Sequence, residues 1–387
     1  VVPGAFSVAF LLYLYEIQPE KFTDGQLNIP EANNGMPDLL DEARWELEWL
    51  LKMQGTNGAV YHKVQNKTWT GNYMPHLDPD PRFIMTTSSP ATADFAAVTA
   101  LGARLYKEWD KDFAYQLYKA SLAAWNYLLV NPNVFPPGGF RNPAGVDGGD
   151  YSDDQDLEER LWAAVELYHL TGNAKYHEYF KANYGRVGGF YTVLGWKLVD
   201  TFAVMPYLRM PERMTDKELR NNIQATLIQH CNNRLKLIQK NGYRYVLKQN
   251  EYWWGSNALG LGEALKFIEA YEFTGDEKYR DGALDQLHYN LGRNTFNLAY
   301  VTGVGSNSTR SPYHQASIQD GIVEPVPGLA VGGPNSNGGL NGETISPFPA
   351  RSYEDTLNYQ VNEVAVYYSA PLAYVAGYFS DFNVSEN

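Results

Sequence analysis

The chain has 387 residues and a formal net charge of −13, which argues against a nucleic-acid partner and against binding to an anionic membrane surface. Its single cysteine, Cys231, excludes a disulfide within the chain and a zinc site built from cysteines. The seven histidines show no paired spacing typical of a metal site, and no run of about 18 apolar residues predicts a membrane span.

Helical periodicity dominates from the first residues onward. Val1–Tyr15 is apolar, has no basic leader, and predicts a core helix rather than a signal peptide. Pro37–Met53 begins with a proline and acids, as helix starts prefer, and carries leucines on one face. Similar stripes predict helices over Ala91–Trp109, Phe113–Val130, Leu157–Leu170, Lys217–Gln239, Ala258–Phe273, Glu277–Leu291 and Val361–Phe379. The best strand candidates are Gly58–Val64 and Tyr243–Leu247.

A repeat links two of the helical regions. Leu167–Tyr176 reads LYHLTGNAKY, and Ala270–Tyr279 reads AYEFTGDEKY. Each predicts two helices joined by a tight turn, with Gly172 and Gly275 in the left-handed conformation that ends the first helix. Stacked helical hairpins favour a solenoid or a closed helical toroid. We expect closure, because no polar capping repeat is present.

Long loops and abundant aromatic residues indicate a binding surface. Loops rich in Gly, Pro and Asn cover residues 131–156, 302–315 and 325–351, and structureless loops of this length are usually functional. The chain has 29 Tyr and 9 Trp. Most of these rings would fill a helical core, and any exposed beside acids would suit sugar rings.

Glu363 stands at the head of an apolar run that includes Val364, Ala365 and Val366. Desolvating a carboxylate there is costly unless it is paired or protonated. One interpretation places Glu363 in the first turn of a helix, facing water and favoured by the helix dipole. The other makes it a buried acid with a function.

Motifs along nearly the whole chain resemble glycoside hydrolase family 9. They are Asn34–Gln54, Ser88–Ala97 (SSPATADFAA), Trp254–Asn257 (WGSN), Leu291–Asn294 (LGRN), Tyr300–Gly305 (YVTGVG), Val331–Asn335 (VGGPN) and Asn362–Ala365 (NEVA). The resemblance implies an all-α fold, an (α/α)6 barrel or six-hairpin toroid, with residues 1–387 as a single catalytic domain. The subgroup resembled is the one in which an immunoglobulin-like domain precedes the catalytic module.

The resemblance implies inverting hydrolysis of β-1,4-glycosidic bonds in glucan chains such as cellulose, cellodextrins or mixed-linkage glucan. It assigns the general acid to Glu363, and an apolar wall would raise the pKa of Glu363 as that role requires. It also implies a secreted, extracellular enzyme that needs no cofactor.

The family's catalytic base belongs to a pair of aspartates in a motif expected just before Val1. Val146–Tyr151 imitates the spacing of that motif, but Asp147 and Asp150 fit a Gly-rich turn better. We therefore expect the chain to be truncated at its N-terminus. The first barrel helix, the base and the immunoglobulin-like domain would then lie outside this sequence.

The resemblance also points to substrate-binding residues. Trp254, and less directly Trp196, match tryptophans that stack on sugar rings, since an aromatic plane can cover the apolar face of a pyranose. Tyr368 matches a tyrosine near the cleaved sugar. Asp355 and Tyr359 would hold the acid or the substrate. The alternatives are core packing for the rings and a helix cap for Asp355 and Tyr359.

Ser311–Ser317 (SPYHQAS) stands where the family usually has Pro-His-His-Arg. Tyr313 and Gln315 replace a His and an Arg, whereas His314 is retained, either to bind sugar or as a structural loop residue. Loss of the Arg fork weakens recognition of paired sugar hydroxyls. The usual specificity for cellulose is therefore open to question.

An acidic cluster suggests a structural calcium site. Asp153, Asp154, Glu158 and Glu159 carry the oxygen ligands that Ca²⁺ prefers, in a region where family members often bind calcium. The alternative is a solvated helix N-terminus.

Three other functions fit parts of the sequence. Net acidity would suit an exo-β-glucosaminidase that acts on chitosan oligosaccharides. Absence of the base motif would suit a non-catalytic carbohydrate-binding pseudoenzyme. A structural helical solenoid would bind no sugar.

Overall fold

The computed structural model describes residues 1–69, 71, 73–340 and 343–381. Among these residues the α-helices are α1 (Val2–Ile17), α2 (Asp38–Lys52), α3 (Ser89–Tyr106), α4 (Lys111–Val130), α5 (Leu157–Thr171), α6 (Ala174–Tyr184), α7 (Asp200–Arg209), α8 (Lys217–Ile238), α9 (Ser256–Thr274), α10 (Glu277–Asn290), α11 (Gln315–Gln319), α12 (Tyr359–Asn362) and α13 (Val366–Phe379). Strands β1 (Val64–Gln65) and β2 (Phe83–Ile84) form an antiparallel pair.

The chain divides into two compact units, the first built mainly from Val1–Trp69 and Pro81–Thr226. Its core is aromatic and centres on Phe202 of α7. The ring of Phe202 lies 5.2 Å from Phe10 of α1 and 5.2 Å from Trp162 of α5. Nearly every side chain of α7 is buried, which leaves no polar face for a sequence pattern to reveal.

A buried charge network accompanies this core. Glu16 of α1 forms ion pairs with Arg104 and Arg209. Burial raises the pKa of Glu16, but the two guanidinium groups outweigh it and hold the pKa at about 2. These pairs fix the end of α1 against the helices that carry the arginines.

The second unit is built mainly from Leu227–Phe379, and in it α9 packs against α10 and α13. Tyr245 stacks on Tyr289 of α10 with ring centroids 3.6 Å apart. Tyr300 lies 6.1 Å from Tyr289 and 4.9 Å from Tyr353. The aromatic column therefore leads from α10 to the loop that precedes α12.

The predicted helical hairpins are confirmed. Gly172 ends α5 and Gly275 ends α9, both with φ of +66°. Asn173 and Asp276 then cap α6 and α10 by accepting a bond from the backbone two residues on. The other predicted helices also form, with ends that differ by a few residues, except for the one predicted over Val361–Phe379.

Three predictions from periodicity are wrong in detail. Tyr243–Leu247 is not a strand, because Arg244 has φ of +56° and the N–H of Val246 bonds to the side chain of Gln286. Of Gly58–Val64, only Val64 belongs to a strand. The helix predicted over Val361–Phe379 is interrupted between α12 and α13.

None of the helices within the described ranges combines the length and the apolar character that crossing a membrane requires.

Candidate active site

The break between α12 and α13 carries Glu363, whose backbone is extended (φ −59°, ψ 143°). Glu363 pairs with Tyr313, and Val364 pairs with Val331, in strand-like bridges. The N–H of Gly332 donates to the carbonyl of Glu363 at 3.0 Å. The interpretation of Glu363 as a first-turn acid is therefore wrong, since three chain segments meet where the helix was predicted to begin.

The side chain of Asn362 stabilises this break between α12 and α13. Its Nδ2 lies 2.9 Å from the carbonyl of Thr356 and 3.1 Å from Oδ1 of Asp355. Its Oδ1 accepts a hydrogen bond of 2.7 Å from the hydroxyl of Tyr353. Asn362 is fully buried, so its amide stabilises the backbone next to Glu363 through buried hydrogen bonds.

The carboxylate of Asp355 binds the loop that precedes α11. Its carboxylate accepts bonds from Thr309 Oγ1 at 2.6 Å, Arg310 N at 2.9 Å and Ser311 N at 3.1 Å. The cap of α12 is instead Asn358, which accepts from Gln360 N. Asp355 thus braces the site rather than capping a helix.

The side chain of Glu363 is partly buried and meets Trp254. Nε1 of Trp254 donates to Oε2 of Glu363 at 3.1 Å. Burial raises the pKa of Glu363 above its usual value, and the bonds from Trp254 and from the Tyr368 hydroxyl offset part of that rise. The arrangement favours a carboxyl group that keeps its proton at higher pH than an exposed glutamate.

Half-exposed aromatic rings surround Glu363. Trp254 is 46% exposed and Tyr359 40% exposed, with their centroids 5.7 Å apart. Tyr313 lies 5.9 Å from Tyr359. These rings present apolar planes to solvent beside the acid, as a sugar-binding surface requires.

Tyr368 is buried behind the acid, not exposed beside it. Gly255, at the start of α9, has φ of +81°, and a Cβ added there would lie 2.5 Å from Cε1 of Tyr368. The absence of a side chain at Gly255 therefore lets Tyr368 approach Glu363.

His314 caps the short helix α11. Its Nδ1 lies 2.9 Å from Oγ of Ser317 and also accepts from the backbone of Ser317. Burial lowers the pKa of His314. The structure thus gives His314 a local structural partner, whereas Tyr313 faces the aromatic group around Glu363.

Trp196 belongs to the first unit and packs edge to face on Tyr151, with centroids 5.4 Å apart. In the same unit Asp150 accepts a bond from the backbone of Asn142 at 2.9 Å. The N–H of Asp147 bonds to the carbonyl of Lys67. The side chain of Asp150 thus has a partner within its own loop, whereas the backbone of Asp147 bonds to a segment remote in sequence.

Three of the four predicted calcium ligands are neighbours, since the charges of Asp153 and Glu158 add to burial in raising the pKa of Glu159. Asp154 is exposed and bonds to Lys197 at 3.2 Å. Asp153 and Glu159 are buried, and burial raises the pKa of Asp153 to about 6 and that of Glu158 to about 7. Throughout the described part of the chain, no three His, Cys, Asp or Glu side chains are arranged to hold a metal ion.

Two residues were not predicted from the sequence, one beside Glu363 and one in the first unit. Asn362 lies in the NEVA motif, but its stabilising role depends on partners such as Tyr353, which only the fold brings near. Asp94 of α3 is fully buried, and within the described residues neither of its carboxylate oxygens has a hydrogen-bond partner. Burial and the neighbouring Asp153 raise the pKa of Asp94. Its position as the one acidic residue of α3 was the available signal.

The sequence matches the model of glycosyl hydrolase family 9 over residues 1–376. It is 34% identical to a cellulose 1,4-beta-cellobiosidase of Acetivibrio thermocellus over 99% of this chain and 48% of that protein. It is 31% identical to endoglucanase D of the same organism, over 100% of this chain and 58% of that protein. The chain thus spans about half the length of these curated relatives.

Solved structures agree with these matches. A metagenome-derived family 9 endoglucanase superposes with a TM-score of 0.91 at 35% identity, covering 98% of this chain and 68% of that one. The family 9 endoglucanase J30 gives 0.90 at 33% identity, covering 98% and 72%. The likeness confirms the predicted fold class, an all-α (α/α)6 barrel.

Proposed function

Because the chain belongs to glycosyl hydrolase family 9, we propose that it hydrolyses β-1,4-glycosidic bonds of glucan chains with inversion at the anomeric carbon. The observation that carries this proposal is the placement of Glu363, a partly buried acid hydrogen-bonded to a half-exposed tryptophan. Family membership supports the class of reaction, and the aromatic surface supports a sugar substrate. We also propose that residues 1–387 act as one catalytic domain.

Glu363 is the proton donor in this proposal. When the bond between the anomeric carbon and the bridging oxygen breaks, the oxygen takes the bond pair and the proton of Glu363. It leaves as a hydroxyl of the departing chain. Burial, which raises the pKa of Glu363, keeps that proton in place until the sugar arrives.

Inversion also requires a carboxylate base that removes a proton from the attacking water, about 6.5–9.5 Å from the acid. Asp355 does not suit this role, because its oxygens already accept bonds from Thr309, Arg310 and Ser311. Asp355 is therefore not the base in this proposal.

The half-exposed rings bind the substrate. Trp254, Tyr359 and Tyr313 offer planes on which pyranose rings stack, and Trp196 is proposed to do so in the first unit. Asp355 and Tyr368 act on the substrate only through Glu363. His314 supports the loop that carries Tyr313.

Catalysis in this family needs no cofactor, and no metal enters the mechanism proposed here. Because the described His, Cys, Asp and Glu side chains include no group of three arranged to hold a metal ion, we expect calcium to leave the melting temperature of EGTA-treated protein unchanged. A rise of several degrees in the melting temperature would show that these carboxylates bind calcium.

The polymeric substrate supports an extracellular site of action.

The proposal is tested with the full-length protein on cellotetraose. Proton NMR should show the α-anomer as the first product, and Glu363→Gln should lose about 10²–10⁴-fold in kcat while still binding cellotetraose. Glucosamine release from chitosan oligomers without cellodextrin cleavage would overturn the choice of substrate. Binding without any hydrolysis would identify a carbohydrate-binding pseudoenzyme.

A further inference from the structure

The indole of Trp254 meets the acid through its one polar atom. Nε1 donates to Oε2 of Glu363 at 3.1 Å. We propose that this bond makes Trp254 a positioning residue, which holds the proton on Oε1 of Glu363 so that Oε1 faces the departing sugar oxygen. The inference rests on the proposed role of Glu363 as proton donor.

The argument follows from what each group can donate. An indole N–H is a donor only, in every protonation state. A protonated carboxyl group has one oxygen that carries the hydrogen and one that only accepts. If the proton sat on Oε2, it would crowd the hydrogen of Trp254, and Oε2 would be a weaker acceptor for that N–H than an oxygen without a hydrogen. The proton is therefore favoured on Oε1.

The hydroxyl of Tyr368 also bonds to Glu363, but it does not set the same constraint. A phenol hydroxyl can donate or accept, so Tyr368 adapts to either site of protonation. Trp254 has no such freedom, and of these two partners it alone distinguishes the two oxygens.

Both partners of the bond are held in place. Backbone pairing with Tyr313 and Gly332 fixes Glu363. The ring of Trp254 leans on Tyr359 at 5.7 Å, and the chain turns immediately after it at Gly255. Because positioning by hydrogen bonds depends on rigid partners, this pair is suited to select one oxygen.

The ring of Trp254 remains 46% exposed, so its two tasks use different atoms. The exposed face is available for stacking on a sugar, whereas the N–H edge points to Glu363. Substituting the indole by a phenyl ring removes the N–H and keeps an aromatic face. This separates positioning from sugar binding.

The first test compares Trp254→Phe with Trp254→Ala in the full-length protein. For Trp254→Phe we expect kcat on cellotetraose to fall about tenfold with little change in KM, whereas Trp254→Ala should also raise KM. With an activated aryl cellobioside, whose phenolate leaves without protonation, the kcat of Trp254→Phe should fall much less. Equal losses on both substrates would overturn the proposal.

The pH profile gives a second readout that a purely structural role would not move. Because the N–H stabilises the ionised carboxylate, its removal raises the pKa of Glu363 further. The alkaline limb of kcat/KM should therefore move to higher pH in Trp254→Phe. Trp253→Phe is the matched control, since Trp253 is a neighbouring tryptophan, 50% exposed, and should leave the limb in place. An unmoved limb in Trp254→Phe would overturn the proposal.

A third readout needs no turnover. In protein labelled with ¹⁵N, the indole signal lost in Trp254→Phe identifies Trp254. That signal should titrate with Glu363 in the native protein and stay flat in Glu363→Gln, and a flat signal in both would overturn the proposal. If it titrates but no glycoside is cleaved, the proposed function fails and the hydrogen-bond assignment stands.

Discussion

Nδ2 of Asn362 lies 3.1 Å from Oδ1 of Asp355, which ties the residue before the proposed acid to a carboxylate that also binds the backbone of Ser311. The Oδ1 of Asn362 accepts from Tyr353. The position of Glu363 thus depends on a buried polar network, in which removing one member takes a hydrogen bond from each of its partners.

Asn362→Ala should lower the free energy of unfolding by about 2–4 kcal/mol, because Tyr353 and Asp355 lose a buried partner. The kcat on cellodextrins should fall by about tenfold or more, since Glu363 loses its support. Urea denaturation and initial rates measure the two effects. Asn221→Ala, at an exposed position of α8, is the control and should change neither. A fully active and fully stable Asn362→Ala variant would contradict the proposed role of Asn362 in supporting Glu363.

Tyr359→Ala should raise KM for cellotetraose several-fold, because a stacking ring contributes about 1 kcal/mol. Tyr359→Phe keeps the ring and should retain most of the affinity. Steady-state kinetics on both variants measure this difference. Tyr115→Ala, at an exposed position far from Glu363 in sequence, should leave KM unchanged. Equal loss in Tyr359→Ala and Tyr359→Phe would show that the hydroxyl, not the ring, contacts the sugar.

Gly255→Ala should destabilise the protein by about 2–4 kcal/mol, because left-handed strain adds to the collision with Tyr368. Gly275→Ala has the same sign of φ with nothing within 4 Å of the added Cβ, so it should cost only about 1–2 kcal/mol. Thermal unfolding compares the two variants. Similar losses would mean that Tyr368 moves aside without cost.

Glu263→Gln should destabilise the second unit by about 3–5 kcal/mol, because it removes the charge between Lys266 and Arg234. Burial raises the pKa of Glu263, but Lys266, His230 and Arg234 outweigh it and hold the pKa well below its usual value. A lowered pKa in the folded state stabilises above the unfolded value and is lost as pH falls.

Native protein should therefore lose stability as pH drops below about 4.5, and Glu263→Gln should lose less over that window. Denaturant titrations at several pH values measure both slopes. Glu277→Gln, at an exposed pair with Arg280, should shift stability by about 0.5 kcal/mol or less. Parallel slopes for the native protein and Glu263→Gln would contradict the assignment.

The helices of this fold were accessible to sequence reasoning because their cores repeat at helical spacing. Leu157–Leu170 and Glu277–Leu291 were placed nearly to their observed ends, and the glycine turns at Gly172 and Gly275 followed from the repeat. Helix α7 was missed because it is buried on all sides and contains Pro206. A pattern that reads one apolar face cannot detect a helix without a polar one.

The site was predictable only in part. Resemblance located Glu363, Trp254 and Tyr359, which the structure brings together. Periodicity placed Glu363 inside a helix, because pairing with Tyr313 and Val331 is set by contacts remote in sequence. The roles of Asn362 and Gly255 depend on the same kind of contact, and no local sequence pattern predicts them.

The pairing of Glu363 with Tyr313 and of Val364 with Val331 also bears on the order in which the protein assembles. Closing loops between remote segments costs more entropy than winding a helix, so these bridges should form after most helices are in place. A chain that has completed its helices but not the bridges would keep its circular dichroism and lack a fixed proton donor. On mild denaturation, turnover should disappear before ellipticity does.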